Sequence, residues 1–126
     1  MSRKVLDSSA ILAVIFQEKG AEIVEPLLDK SLVSSVNVAE VFTKLAEKGI
    51  LTQQTINDFR QLGLEIVDFN YEQAAKVAEL RPLTKHLGLS LGDRSCLALA
   101  ILQNAVAVTA DKEWQKLSLC QIELIR

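Results

Sequence analysis

The chain has 126 residues, 49% of them hydrophobic, which is enough for one domain spanning 1–126 with its own core and too few for two. Its 14 basic and 16 acidic residues leave a net charge of −2, which excludes the global basic field of a passive nucleic-acid binder, so any polyanion has to be held by local cations or metal. No apolar run approaches the roughly 18 residues of a membrane span, the opening MSRKVLD lacks the apolar core of a signal peptide, and Cys96 and Cys120 sit among apolar neighbours without metal-ligand spacing, so the expectation is a soluble cytoplasmic protein with free thiols and no membrane association.

The first β-like run is KVLD (4–7), which ends on Asp7. SLVSS (31–35) is the second, and it leads into a helical pattern in which Val38, Val41, Phe42 and Leu45 follow the i, i+3, i+4, i+7 rule. Gly49 stands where that helix should stop, and Glu40 lies one turn from its start. LEIVDF (64–69) is the third β-like run. Residues 96–102 are apolar on every face, which predicts a helix buried all round with Asp93 at its beginning. AVAVTA (105–110) leads to Asp111, and CQIELI (120–125) is the last run. Strands alternating with helices predict an α/β sandwich around a central, mostly parallel β-sheet with right-handed crossovers. In such sheets ligands bind beyond the carboxyl ends of the strands, where helix N-termini leave backbone N–H groups free.

Asp7, Glu40, Asp93 and Asp111 all fall at strand exits or first helical turns. Each has a capping reading. Asn37-x-x-Glu40 and Ser90-x-x-Asp93 fit a capping box or its near variant, while Asp7 and Asp111 fit simple N-caps. Jointly they say more, because a parallel sheet brings these positions to one edge. Carboxylates crowded there repel one another unless divalent cations neutralise them. With no His or Cys neighbours, the ion expected is a hard one, Mg²⁺ or Mn²⁺. Such an ion leaves positions for phosphate oxygens, which suits phosphodiester hydrolysis by activated water without a protein nucleophile.

The segments VLDSSAILAVIFQEKG, SSVNVAEVFTKL, LSLGDRSCLALA and AVAVTADKEW, in this order and spacing, resemble the PIN-domain family of metal-dependent ribonucleases. The likeness is to its small stand-alone members, the VapC-type toxins of toxin–antitoxin pairs, and it covers nearly the whole chain. It implies a PIN-like three-layer sandwich and an endoribonuclease that hydrolyses RNA phosphodiester bonds. It also implies a catalytic and metal-binding quartet of Asp7, Glu40, Asp93 and Asp111, with Asp7 and Asp93 foremost among the ligands. Ser8, Asn37 and Thr109 are placed nearby, where they orient ligands and bound waters. Arg94 has two readings, a contact to a substrate phosphate or a charge at the surface or between helices. A cognate antitoxin and a homodimer are further implications of the resemblance.

Rival readings carry less. Gly88-Leu89-Ser90-Leu91-Gly92 spells G-x-S-x-G, but the lone His86 precedes Ser90, the reverse of an α/β-hydrolase triad. A phospho-accepting receiver would want paired acids after the first strand, where LDSS offers one, and Asp68 reads as a strand-end surface residue. A non-catalytic RNA- or protein-binding module has no need of four converging acids, and a housekeeping RNA-processing nuclease of the same fold shares every motif.

Overall fold

The computed structural model describes residues 3–126. Five strands, β1 (Lys4–Leu6), β2 (Ser31–Ser34), β3 (Glu65–Val67), β4 (Val106–Thr109) and β5 (Ile122–Leu124), form one sheet in the order β3-β2-β1-β4-β5. Every neighbouring pair is parallel, so the sheet is wholly rather than mostly parallel. Each strand is one to three residues shorter than its apolar run, because the flanking residues leave the ladder to enter turns and caps.

Side chains alternate across the sheet and create two cores. Val5, Leu32 and Ala107 face one layer, made of α5 (Tyr71–Thr84) and α6 (Leu91–Leu102). Leu6, Val33 and Val108 face the other, made of α1 (Ser8–Ile15), α2 (Ala21–Val24), α3 (Ser35–Glu47) and α4 (Gln53–Phe59). The result is a three-layer sandwich, as the resemblance implies.

Helix α6 is the central element of its layer. From Cys96 to Ala100 every residue is buried, so Leu97 and Leu99 each contribute about 1.5–3 kcal/mol of apolar burial. The helix starts on a capping box, with Ser90 and Asp93 each accepting the other's backbone N–H. It ends on Asn104, whose φ is +51°. The N–H of Asn104 donates to Ile101 and that of Ala105 to Ala100, the paired bonds of a Schellman stop that turns the chain into β4. Helix α3 ends the same way at Gly49, φ +73°, where Gly49 and Ile50 donate to the carbonyls of Ala46 and Leu45.

Candidate active site

In the order β3-β2-β1-β4-β5, successive connections leave β1 toward β2 and arrive at β4 on its other side, so the sheet changes direction between β1 and β4. Beyond the carboxyl ends of those two strands lies the crevice where open α/β sheets bind ligands. Asp7 follows β1 there, and Thr109 is the last residue of β4. The Asp7 N–H donates to the Val108 carbonyl at 3.0 Å, extending the ladder by one rung and fixing the two residues side by side.

Asp7 is only 3% exposed. It is the N-cap of α1: Oδ1 accepts the Ala10 N–H at 2.9 Å and the Ser9 hydroxyl at 2.7 Å. Oδ2 accepts from Thr109 Oγ1 at 2.6 Å. These bonds favour the carboxylate, yet burial outweighs them and, with a smaller push from the charge of Asp93, raises the pKa from 3.8 to about 6. The cap expected of Asp7 is therefore present, in a carboxylate whose proton affinity burial also raises.

Glu40 projects from α3, and its Oε1 accepts from Ser8 Oγ at 2.9 Å and from Asn37 Nδ2 at 2.8 Å. The capping box expected for Asn37 and Glu40 does not form. Helix α3 begins three residues earlier, capped by Ser34, which accepts the Val36 N–H, so Asn37 is already inside the helix. Freed from capping, the fully buried Asn37 amide also donates to the Gly92 carbonyl at 3.1 Å and ties α3 to the first turn of α6. Its Oδ1 is buried without a partner among the described residues. Asp93 is half-buried next to Gly92, engaged in the capping box with Ser90.

Asp111 is exposed and caps the short helical turn Lys112–Lys116 by accepting the Glu113 N–H at 3.0 Å. Its own N–H donates to Thr109 Oγ1 at 3.0 Å, so Thr109 links the Asp111 backbone to the Asp7 carboxylate. Glu113 is solvated and pairs with Lys116. Arg94 turns toward α5, where Nη1 donates to the Val77 carbonyl at 3.1 Å, the inter-helix arrangement of its two readings.

Two participants escaped the sequence reading. Ser9 donates to Asp7 and accepts the Ala110 N–H at 3.0 Å, stitching α1 to the exit of β4. Its signal was the doubled serine after Asp7. Gly92 faces Glu40, and its signal was a glycine in the first turn of an otherwise strong helix, which costs about 1 kcal/mol against alanine and calls for a packing reason.

No basic residue among those described forms an ion pair with Asp7, Glu40, Asp93 or Asp111. The acids at this edge are thus held by hydroxyl, amide and backbone N–H donors and not by ion pairs, and the oxygens available to a cation are carboxylate, hydroxyl and amide. That donor set fits a hard divalent cation. Among the described residues no three Asp, Glu, His or Cys side chains stand close enough to enclose an ion by themselves. Mg²⁺ ordinarily takes one or two protein carboxylates and keeps several waters, so it does not require such an enclosure. Beside Glu40 a groove of about 510 Å³ opens between α1, α3 and the start of α6, with Ser8, Leu12, Lys44, Leu91 and Gly92 on its walls.

Comparison with known proteins agrees with this architecture. Three similar solved structures are a toxin–antitoxin complex from Klebsiella pneumoniae (18% identity, 98% of each chain covered, TM-score 0.78), VapBC2 from Rickettsia felis bound to a DNA fragment from its promoter (23%, 96% of this chain and 97% of that one, 0.75), and FitAcB from Neisseria gonorrhoeae (20%, 97% of each, 0.75). At these identities the likeness establishes the fold alone. No curated protein matches by sequence. The PIN domain family model matches residues 4–118, and the chain belongs to the PIN domain family.

Proposed function

We propose that this protein is a Mg²⁺- or Mn²⁺-dependent endoribonuclease that hydrolyses RNA phosphodiester bonds and serves as the toxin of a toxin–antitoxin pair. The observation that carries the reading is Asp7, buried at the β1/β4 switch point within reach of the charge of Asp93, with no basic partner for either acid among the described residues. Asp7 and Asp93 would hold the ion directly, and Glu40 and Asp111 would face its bound waters. When bound, the ion supplies positive charge that neutralises the acids and the phosphodiester and acidifies water. The chain's own part is positioning: Ser9, Thr109 and the Ala10 N–H hold Asp7, Ser8 and Asn37 hold Glu40, and Ser90 holds Asp93. The groove beside Glu40 gives an extended polymer access to this edge.

Membership of the PIN domain family supports the nuclease part of the reading. The toxin part, with a cognate antitoxin, is supported by similar structures that include a toxin–antitoxin complex and a member of the VapBC family of toxin–antitoxin systems, and a homodimer as the basic unit belongs to the same proposal. The test is incubation of antitoxin-free protein with total RNA in Mn²⁺, Mg²⁺ or EDTA, alongside Asp7→Asn. Cleavage that needs both metal and Asp7 is expected. Folded protein that binds Mn²⁺ yet cuts no RNA in any condition would turn the reading toward a binding module.

A further inference from the structure

Gly92 occupies the first turn of α6 in ordinary helical conformation, where no backbone strain demands glycine. What demands it is space. A β-carbon built on Gly92 would overlap all three carboxylate atoms of Glu40, and no other neighbour comes as near. Glu40 therefore lies flat over the bare Cα of Gly92, with its side chain filling the volume a methyl group would take.

This packing is locked from a third direction. The Asn37 amide splits its donation between Glu40 Oε1 at 2.8 Å and the Gly92 carbonyl at 3.1 Å. The opposite amide orientation would aim Oδ1 at two acceptors, so the two bonds fix the amide one way round. Ser8 Oγ holds the same Oε1 from α1. Asn37 is fully buried, so its amide does not turn to water instead. Asp93 is the very next residue, so the seat that fixes Glu40 also fixes the distance between two acids carried by different helices.

We propose that Gly92 and Asn37 form a positioning seat for the Glu40 carboxylate, and that Gly92 is required there because only a residue without a β-carbon lets Glu40 reach the metal-binding edge. The inference rests on the metal-dependent reading above, and it assigns Gly92 no contact with substrate. It separates Gly92 from a packing glycine: its substitution should act through Glu40 and vanish when Glu40 is shortened.

The test is a double-mutant cycle on full-length protein with two readouts, Mn²⁺ affinity by calorimetry and thermal midpoint without metal. Gly92→Ala should weaken Mn²⁺ binding by about 10- to 100-fold, the range typical when a ligand loses its support. In a Glu40→Ala background, which removes the overlap, Gly92→Ala should leave Mn²⁺ affinity unchanged and raise the midpoint, since alanine is the better helix former. Should Gly92→Ala alone fail to fold, restoration of folding by Glu40→Ala would support the seat equally. Gly92→Ala that binds Mn²⁺ like wild type, or lowers the midpoint equally in both backgrounds, overturns the proposal. If Glu40→Ala itself leaves Mn²⁺ affinity intact, the metal reading of Glu40 falls instead.

Discussion

Thr109 Oγ1 donates to Asp7 Oδ2 at 2.6 Å across the exits of β4 and β1, two residues 102 positions apart in sequence. The same oxygen accepts the Asp111 N–H, so one buried hydroxyl orients an acid on each side of the sheet's switch point. Thr109→Val keeps the shape and removes both bonds. We expect a fold retained at a cost of about 1–3 kcal/mol for the orphaned groups. Mn²⁺ binding should weaken about 10- to 100-fold, and Thr109→Ser should stay near wild type. Calorimetry on both variants checks this, and equal affinity in Thr109→Val would show that the hydroxyl only shapes the turn.

Asp7 should make metal-free stability fall with rising pH. Its folded pKa, about 6, lies above the unfolded value of 3.8, so the native state holds the proton more tightly. The resulting stabilisation is fully present below the unfolded pKa and is lost as pH climbs through 6, a swing of roughly 2–3 kcal/mol. Thermal midpoints from pH 4 to pH 7 in EDTA should therefore converge on, and then drop below, those of Asp7→Asn, which carries no titrating group there. Mn²⁺ should bind more weakly below about pH 6, because the ligand must shed its proton first. Parallel midpoint curves for the two proteins would mean that Asp7 is already ionised throughout.

These two residues illustrate what the sequence made legible. Asp7 and Asp93 announce themselves because a carboxylate at a strand exit or in S-x-x-D is a local pattern, and β1, β2, β4 and α6 are legible from the short apolar stretches VL, LV, AVAV and CLALAIL. Helix α5 is not, since two of its four buried positions are Gln73 and Thr84 and its sequence contains Pro82, so no apolar stripe marks it. Helix α4, seven residues of mostly polar side chains held by a Thr52/Thr55 capping box, buries only Phe59, which packs edge-on against Phe42. The true start of α3 was hidden because SSVN offers three capping candidates, and the choice of Ser34 depends on where β2 ends. The doubled serine and the helical glycine mark Ser9 and Gly92 locally, but their partners Ala110 and Glu40 lie more than 30 positions away, and no local pattern names them.

Asp93→Asn separates capping from chemistry. The amide oxygen can still accept the Ser90 N–H at the start of α6, so stability should change by less than about 1 kcal/mol, reflecting the lost charge near the helix N-terminus. Metal-dependent RNA cleavage should disappear, because a neutral amide is a poor ligand for a hard cation. A variant that unfolds yet cleaves normally in its folded fraction would make Asp93 a cap and nothing more.

Arg94 offers the sharpest contrast between two roles for one cation. Its Nη1 bond to Val77 joins α6 to α5 and holds the guanidinium at the helix interface, where its Nε is buried without a partner among the described residues. Arg94→Met keeps the aliphatic packing and removes the hydrogen bond and charge. We expect a stability loss of about 1–3 kcal/mol, because a charge-assisted hydrogen bond joining α6 to α5 is lost. RNA affinity measured across a salt series should keep its slope. A contact to phosphate would give the opposite pattern: an unchanged thermal midpoint and a salt slope shallower by about 0.7 for single-stranded RNA. The two readouts move independently, so a single variant decides whether the residue beside Asp93 serves the fold or the substrate.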